Sequence, residues 1–131
     1  MKKLLAIALI LAACGGNNSN PTIETNKNPI IGTPKRLGNI EIAERDFPTK
    51  MDWLSAMAAC NVLGDGWRLP TQEELKNICG KKSELGGFTG RYYWSSREDD
   101  KEFAWSHYFG SNDQLSFYKS NAYSVRAVRS L

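Results

Sequence analysis

A chain of 131 residues leaves room for one domain with a modest core. Its 17 Lys and Arg against 14 Asp and Glu give a formal charge of +3, too slight to mark a nucleic-acid partner. One histidine and three cysteines, none at zinc-ligand spacing, exclude a zinc site.

The chain opens on a leader. Lys2 and Lys3 form a basic segment, and Leu4 to Leu11 an apolar one too short to cross a bilayer. Ala12 and Ala13 then precede Cys14, as in a bacterial lipobox, where the chain is cut before the cysteine and the thiol takes a lipid. Residues 1–13 are expected to be a lipoprotein signal peptide and Cys14 the lipidation site; the alternative is an ordinary secretory leader with an incidental cysteine. Loss of Lys2 and Lys3 would lower the formal charge to +1. No later segment reads as membrane-spanning, so the lipid would be the link to the membrane. Gly15 in place of an aspartate favours the outer over the inner membrane of the bacterial cell envelope, by analogy with enteric bacteria. Export also places Cys60 and Cys79 where disulfides are permitted.

Residues 14–36, rich in Asn, Ser, Thr, Pro, Gly and Lys, read as a flexible tether, with an extra strand around Ile30 and Ile31 as the alternative. The folded domain is expected over residues 37–131. Leu37 to Ala43 alternates Ile40 and Ile42 around Glu41, as in a strand. Thr49, with Asp52 three residues on, predicts a helix start. Trp53, Ala56, Met57, Cys60 and Leu63 share one face of that helix, and Gly64 ends it. Gly66, Trp67, Arg68, Leu69, Pro70 and Thr71 then form a hub: a helix end, a brief extended piece and a new N-cap. Thr71 with Glu74 predicts a capping box opening a second helix from Gln72 to Cys79, with Leu75, Ile78 and Cys79 inward. Arg68 is expected to be structural, paired with Glu73 or Glu74. Glycines at 80, 86, 87 and 90 predict a long loop.

The tail is aromatic. A strand over Tyr92 to Ser96 precedes a charged turn, and two alternating runs, Phe103 to Phe109 and Leu115 to Lys119, predict a hairpin. Tyr123 to Arg129 predicts a last strand. The sum is an α+β domain, two short helices packed on an irregular antiparallel sheet.

These residues resemble a known family. Trp53, Ala56, Cys60 and Leu63, the Gly66 to Thr71 block, Glu74 and Leu75, then Tyr93 to Ser96, Ala104 and Trp105, and Val125 to Arg129 follow the pattern of the domain of unknown function typified by the C-terminal domain of Legionella collagen-like proteins (Lcl). That domain is related to the Fibrobacter succinogenes major paralogous domain. The Arg68–Thr71 block also resembles formylglycine-generating enzymes, which share a C-type-lectin-like fold. The resemblance implies a C-type-lectin-like α+β domain, common in exported bacterial lipoproteins. Family members often carry a cysteine in the middle of the closing strand where this chain has Ala127. With that partner missing, Cys60–Cys79 is the expected bridge, against two buried free thiols as the alternative.

No catalytic constellation emerges. His107 lies mid-strand without a nucleophile at telling spacing, and neither Cys60 nor Cys79 matches the cysteine pair of the formylglycine-generating enzymes, so no enzyme is expected. Glu98, Asp99, Asp100, Glu102 and Asp113 could offer oxygen ligands to calcium, though a solvated acidic turn accounts for them; no cofactor is required. Trp94 and Trp105 are assigned to the core. Tyr92, Tyr108, Tyr118 and Tyr123 are the ligand-binding candidates, since exposed rings stack on sugars or proteins while their hydroxyls hydrogen-bond. The expected function is binding of a glycan or a cell-envelope component, with an envelope structural or assembly role without a small ligand as the alternative.

Overall fold

The computed structural model describes residues 28–131. The expected signal peptide, Cys14 and the expected tether up to residue 27 lie outside them. Residues 28–36 are held against the domain. Glu44 N–H donates to Ile31 O at 2.9 Å, Arg45 N–H to Ile30 O at 3.2 Å, and Ile31 packs on the core.

Strands β1 (Lys35–Leu37) and β2 (Ile40–Ile42) form a hairpin around Gly38-Asn39, where one longer strand was predicted. Gly38 takes a positive φ of 61°, which breaks the run. Strand β6 (Val128–Ser130) pairs antiparallel with β2, closing a first sheet of order β1-β2-β6. Residues 125–127 of the predicted last strand stay outside it, their backbone spent on Ala43 and Phe47 instead.

Helix α1 (Trp53–Val62) starts on Asp52, whose side chain accepts from Ser55 N–H; the predicted cap at Thr49 is not used. Trp53, Ala56 and Cys60 are buried, whereas Met57 is 40% exposed and turns away from the predicted inner face. Helix α2 (Gln72–Gly80) has the predicted capping box: Thr71 Oγ1 accepts from Glu74 N–H, and Glu74 Oε1 from Thr71 N–H. Leu75, Ile78 and Cys79 face inward. A short helix, α3 (Lys82–Leu85), interrupts the predicted loop.

Strands β3 (Tyr92–Glu98), β4 (Phe103–Tyr108) and β5 (Asp113–Tyr118) build the second antiparallel sheet, in that order. One face packs on α2 in a cluster of Leu75, Ile78, Cys79, Tyr93, Phe109, Ile40 and Val128. The other packs on α1 through Trp94 and Ala104, with Trp53, Ala56, Cys60, Trp67, Val125 and Ala127. The hub joins the two sheets. Arg68 exchanges backbone hydrogen bonds of 2.8 and 2.9 Å with Val128, and Pro70 O accepts from Ser96 N–H at 2.8 Å. Positive φ at Gly64, Asp65 and Gly66 turns the chain sharply into it.

Cys60 and Cys79 are buried free thiols, so the expected bridge is not formed. The reason is packing: Cys60 belongs to the cluster under α1, and Cys79 to the cluster under α2 on the other side of the second sheet. Burial pushes the Cys60 thiol up to about 12 and raises that of Cys79, against the nearby Lys82 charge.

Candidate functional site

The site begins with the register of the β4–β5 hairpin. The turn over residues 109–112 pairs Tyr108 with Asp113 and Phe103 with Tyr118. Even-numbered residues of β4 therefore lie opposite odd-numbered residues of β5, and one face collects Tyr92, Trp94, Ala104, Tyr108, Leu115 and Phe117. Tyr123 reaches the same face from the segment after β5.

Four rings make a continuous platform there. Tyr92 stacks on Tyr108 with centroids 4.9 Å apart and an interplanar angle of 28°. Phe117 meets Tyr92 edge-on at 5.4 Å, and Tyr123 lies 5.3 Å from Tyr92 and 5.1 Å from Phe117. Beneath them Trp94, fully buried, holds Tyr123 at 5.0 Å and donates its Nε1–H to Met51 O. The four upper rings are half-buried, and Leu115 beside them is 37% exposed. Asn121 donates to the Tyr123 hydroxyl, while those of Tyr92 and Tyr108 have no partner among the described residues. Gly110 leaves room for the Tyr108 ring: a Cβ there would lie 2.4 Å from Tyr108 Cζ and push the ring aside. Tyr108 also walls a recess of about 270 Å³ shared with Lys82, Phe88 and Arg91.

Three of the four candidate tyrosines, Tyr92, Tyr108 and Tyr123, thus come together. Tyr118 does not. It is 54% exposed on the opposite face, its ring 4.4 Å from that of Phe103. Trp105 is on that face too and only half-buried, so its core assignment fails; Trp94 alone of the pair is core. Phe117, which the sequence reading left aside, is central, and its strand alternation with Tyr118 was the available signal.

Next to Tyr92 in β3, Tyr93 is anchored on the opposite face of the sheet. Tyr93 is fully buried, donates its hydroxyl to Asp46 Oδ2 at 2.7 Å and accepts from Gly90 N–H at 2.9 Å. Burial and the Asp46 carboxylate raise its pKa far above the phenol range. Arg126, 2% exposed, donates to Asp46 Oδ1 at 2.8 Å, Ala43 O at 3.1 Å and Gly87 O at 2.7 Å, with its guanidinium 3.9 Å from the Phe88 ring centre. Nothing in the local spacing of Asp46, Tyr93 and Arg126 signals this network, because its members come from distant segments.

Arg68 is paired as expected, bidentate to Glu74 at 2.8 and 2.9 Å, but its side chain is 36% exposed, so the pair is not buried. Burial alone would raise the Glu74 pKa; the bonds from Arg68 and Thr71 outweigh it and lower it. Three carboxylates of the acidic turn are used within the domain. Asp100 Oδ1 accepts from Glu102 N–H and Phe103 N–H, Asp99 Oδ2 from Ser116, and Glu98 pairs with Lys119. Among the described residues no group of three or more metal-binding side chains comes together. His107 is buried, with Nε2 held by Asn112 Oδ1, and burial lowers its pKa. Among the described residues its Nδ1 has no partner and no nucleophile is hydrogen-bonded to the ring.

A recess of about 580 Å³ lies between α2 and the β1–β2 turn, and none of the tyrosines lines it. The four half-buried rings form an open face suited to stacking and edge hydrogen bonds.

The fold has known counterparts. Botrocetin superposes with a TM-score of 0.59 at 13% identity, covering 81% of this chain and all of its own. EMS16, described as an antagonist of the collagen receptor integrin alpha2beta1, superposes at 0.58 and 12% identity, covering 80% of this chain and all of its own. Botrocetin in complex with a von Willebrand factor A1 domain gives 0.58 at 12%. The fold is C-type-lectin-like. No curated protein sequence matches. The family model described as the Lcl C-terminal domain matches residues 21–129, and the chain belongs to that family.

Proposed function

We propose that the chain is an exported lipoprotein, anchored through Cys14 in the outer membrane of a bacterial cell envelope, whose Lcl domain binds a glycan or another envelope component without catalysis. The observation that carries the binding role is the Tyr92–Tyr108 stack, continuous with Phe117 and Tyr123 on one open face. Half-buried rings keep their geometry without a ligand, so little ordering entropy opposes binding. Two unpartnered tyrosine hydroxyls supply directional bonds at the rim. The shallow shape favours an extended partner, a polysaccharide or a protein surface, over an enclosed small molecule. The leader pattern ending in Ala12-Ala13-Cys14 supports the anchor.

The test is binding of the protein to a glycan array and to purified envelope fractions, wild type against Tyr108→Ala. The reading expects a ligand in one of the two and a loss of about tenfold in the folded variant, the scale of one stacked ring. No ligand in either, or equal binding by the variant, contradicts it. Fatty-acid labelling lost in Cys14→Ser checks the anchor; label retained refutes it.

A further inference from the structure

Helix α1 has no charged residue in its ten positions, Trp53 to Val62. A helix with one face in the core ordinarily carries charges on the other. Here Leu54 is 68% exposed, Val62 83% and Met57 40%, so three of the six large hydrophobic side chains exposed among the described residues sit on this one helix. At 100° per residue, Ala58 points directly away from buried Ala56 and Cys60, with Leu54 one turn before it and Val62 one turn after.

We propose that this face is a self-complementary interface through which two copies of the chain pair about a two-fold axis at Ala58. The stripe Leu54-Ala58-Val62 places one branched apolar side chain four residues to either side of Ala58. Antiparallel docking sets Leu54 of each copy against Val62 of the other, and the small Ala58 at the crossing lets the helices approach to the usual 8–10 Å. Charge agrees with that sense of pairing. Lys50 stands exposed just before the helix and Asp65 exposed just after it, neither in an ion pair among the described residues, so each Lys50 comes to the end where the other copy has Asp65. The opposed helix dipoles add to this. A groove of about 330 Å³, lined in part by Met57, Ala58, Asn61 and Arg68, runs beside the helix and gives the second copy a concave edge to seat against. A membrane is the poorer occupant, because interfacial helices flank their apolar face with Lys and Arg, and α1 has none. The pairing uses the side of the domain held by α1 and does not depend on the role of the aromatic platform.

The test is sedimentation equilibrium of the full chain in density-matched detergent. Wild type is expected to dimerise reversibly. Leu54→Glu and Val62→Lys, both at exposed positions that leave the core untouched, are each expected to weaken dimerisation more than tenfold. The double variant Leu54→Glu/Val62→Lys, which sets opposite charges against each other twice across the axis, is expected to recover most of it. A wild type that stays monomeric at every concentration reached, single variants that dimerise like wild type, a double variant no better than the singles, or Leu54-dependent binding to anionic vesicles in place of dimers would each overturn the proposal.

Discussion

Arg126 and Asp46, 80 residues apart in sequence, meet at 2.8 Å inside the domain, with the guanidinium 2% and the carboxylate 11% exposed. The other Asp46 oxygen takes the Tyr93 hydroxyl, and the remaining Arg126 donors hold Ala43 O and Gly87 O. One ion pair thus ties the chain before α1, the loop after α3 and the first residues of β3 together.

Removing one member leaves a buried, uncompensated charge. Arg126→Ala is expected to cost about 3–5 kcal/mol, enough to lower Tm by well over about 10 °C in a domain of this size. A double-mutant cycle with Asp46→Asn checks it in thermal melts, with strong coupling expected. Additive effects would show that the two do not act as a pair.

Arg68→Ala is expected to be milder, about 1–2 kcal/mol, because its bidentate bond to Glu74 is charge-assisted but half-exposed. Urea melts of both arginine variants rank them. Equal losses would contradict the difference in burial.

The pair at Arg68 was legible in the sequence because everything it needs is local: Pro70 breaks the chain, Thr71 caps, and Glu74 must lie one turn into the helix. Arg126 was not, since its partners come from three distant segments and alternation in the last strand only says that it opposes Val125. The same limit explains the tyrosines. Alternation within each run was visible, but which face of β4 continues into β5 is set by the turn over residues 109–112, and that register sent Tyr118 away and brought Phe117 in. The thiols were placed correctly on inner faces of their helices; the sheet running between the two clusters could not be read from spacing.

Cys60 and Cys79 are expected to resist alkylation in the native protein and both to label once it is unfolded without reductant. Reductant should leave Tm unchanged. Mass spectrometry that finds either thiol shielded until reduction would restore the bridge.

Acid should destabilise the domain through His107. Its folded pKa lies below its ordinary value of 6.5, so the unfolded chain binds the extra proton more readily. That contribution is fully present above the ordinary value and is lost as pH falls through the lower, folded one. Asp113 and the Asn112 bond oppose the shift, and Lys76 adds to burial. Thermal melts between about pH 7.5 and 5 should fall less steeply in His107→Gln than in wild type; parallel curves would contradict it.

The most direct test of binding through the aromatic face is amide chemical-shift mapping of the isotope-labelled protein titrated with whichever glycan or envelope fraction it retains. The account predicts that the largest shifts cluster at Tyr92, Tyr108, Leu115, Phe117 and Tyr123. Shifts centred on the recess between α2 and the β1–β2 turn, with the platform unmoved, would contradict it.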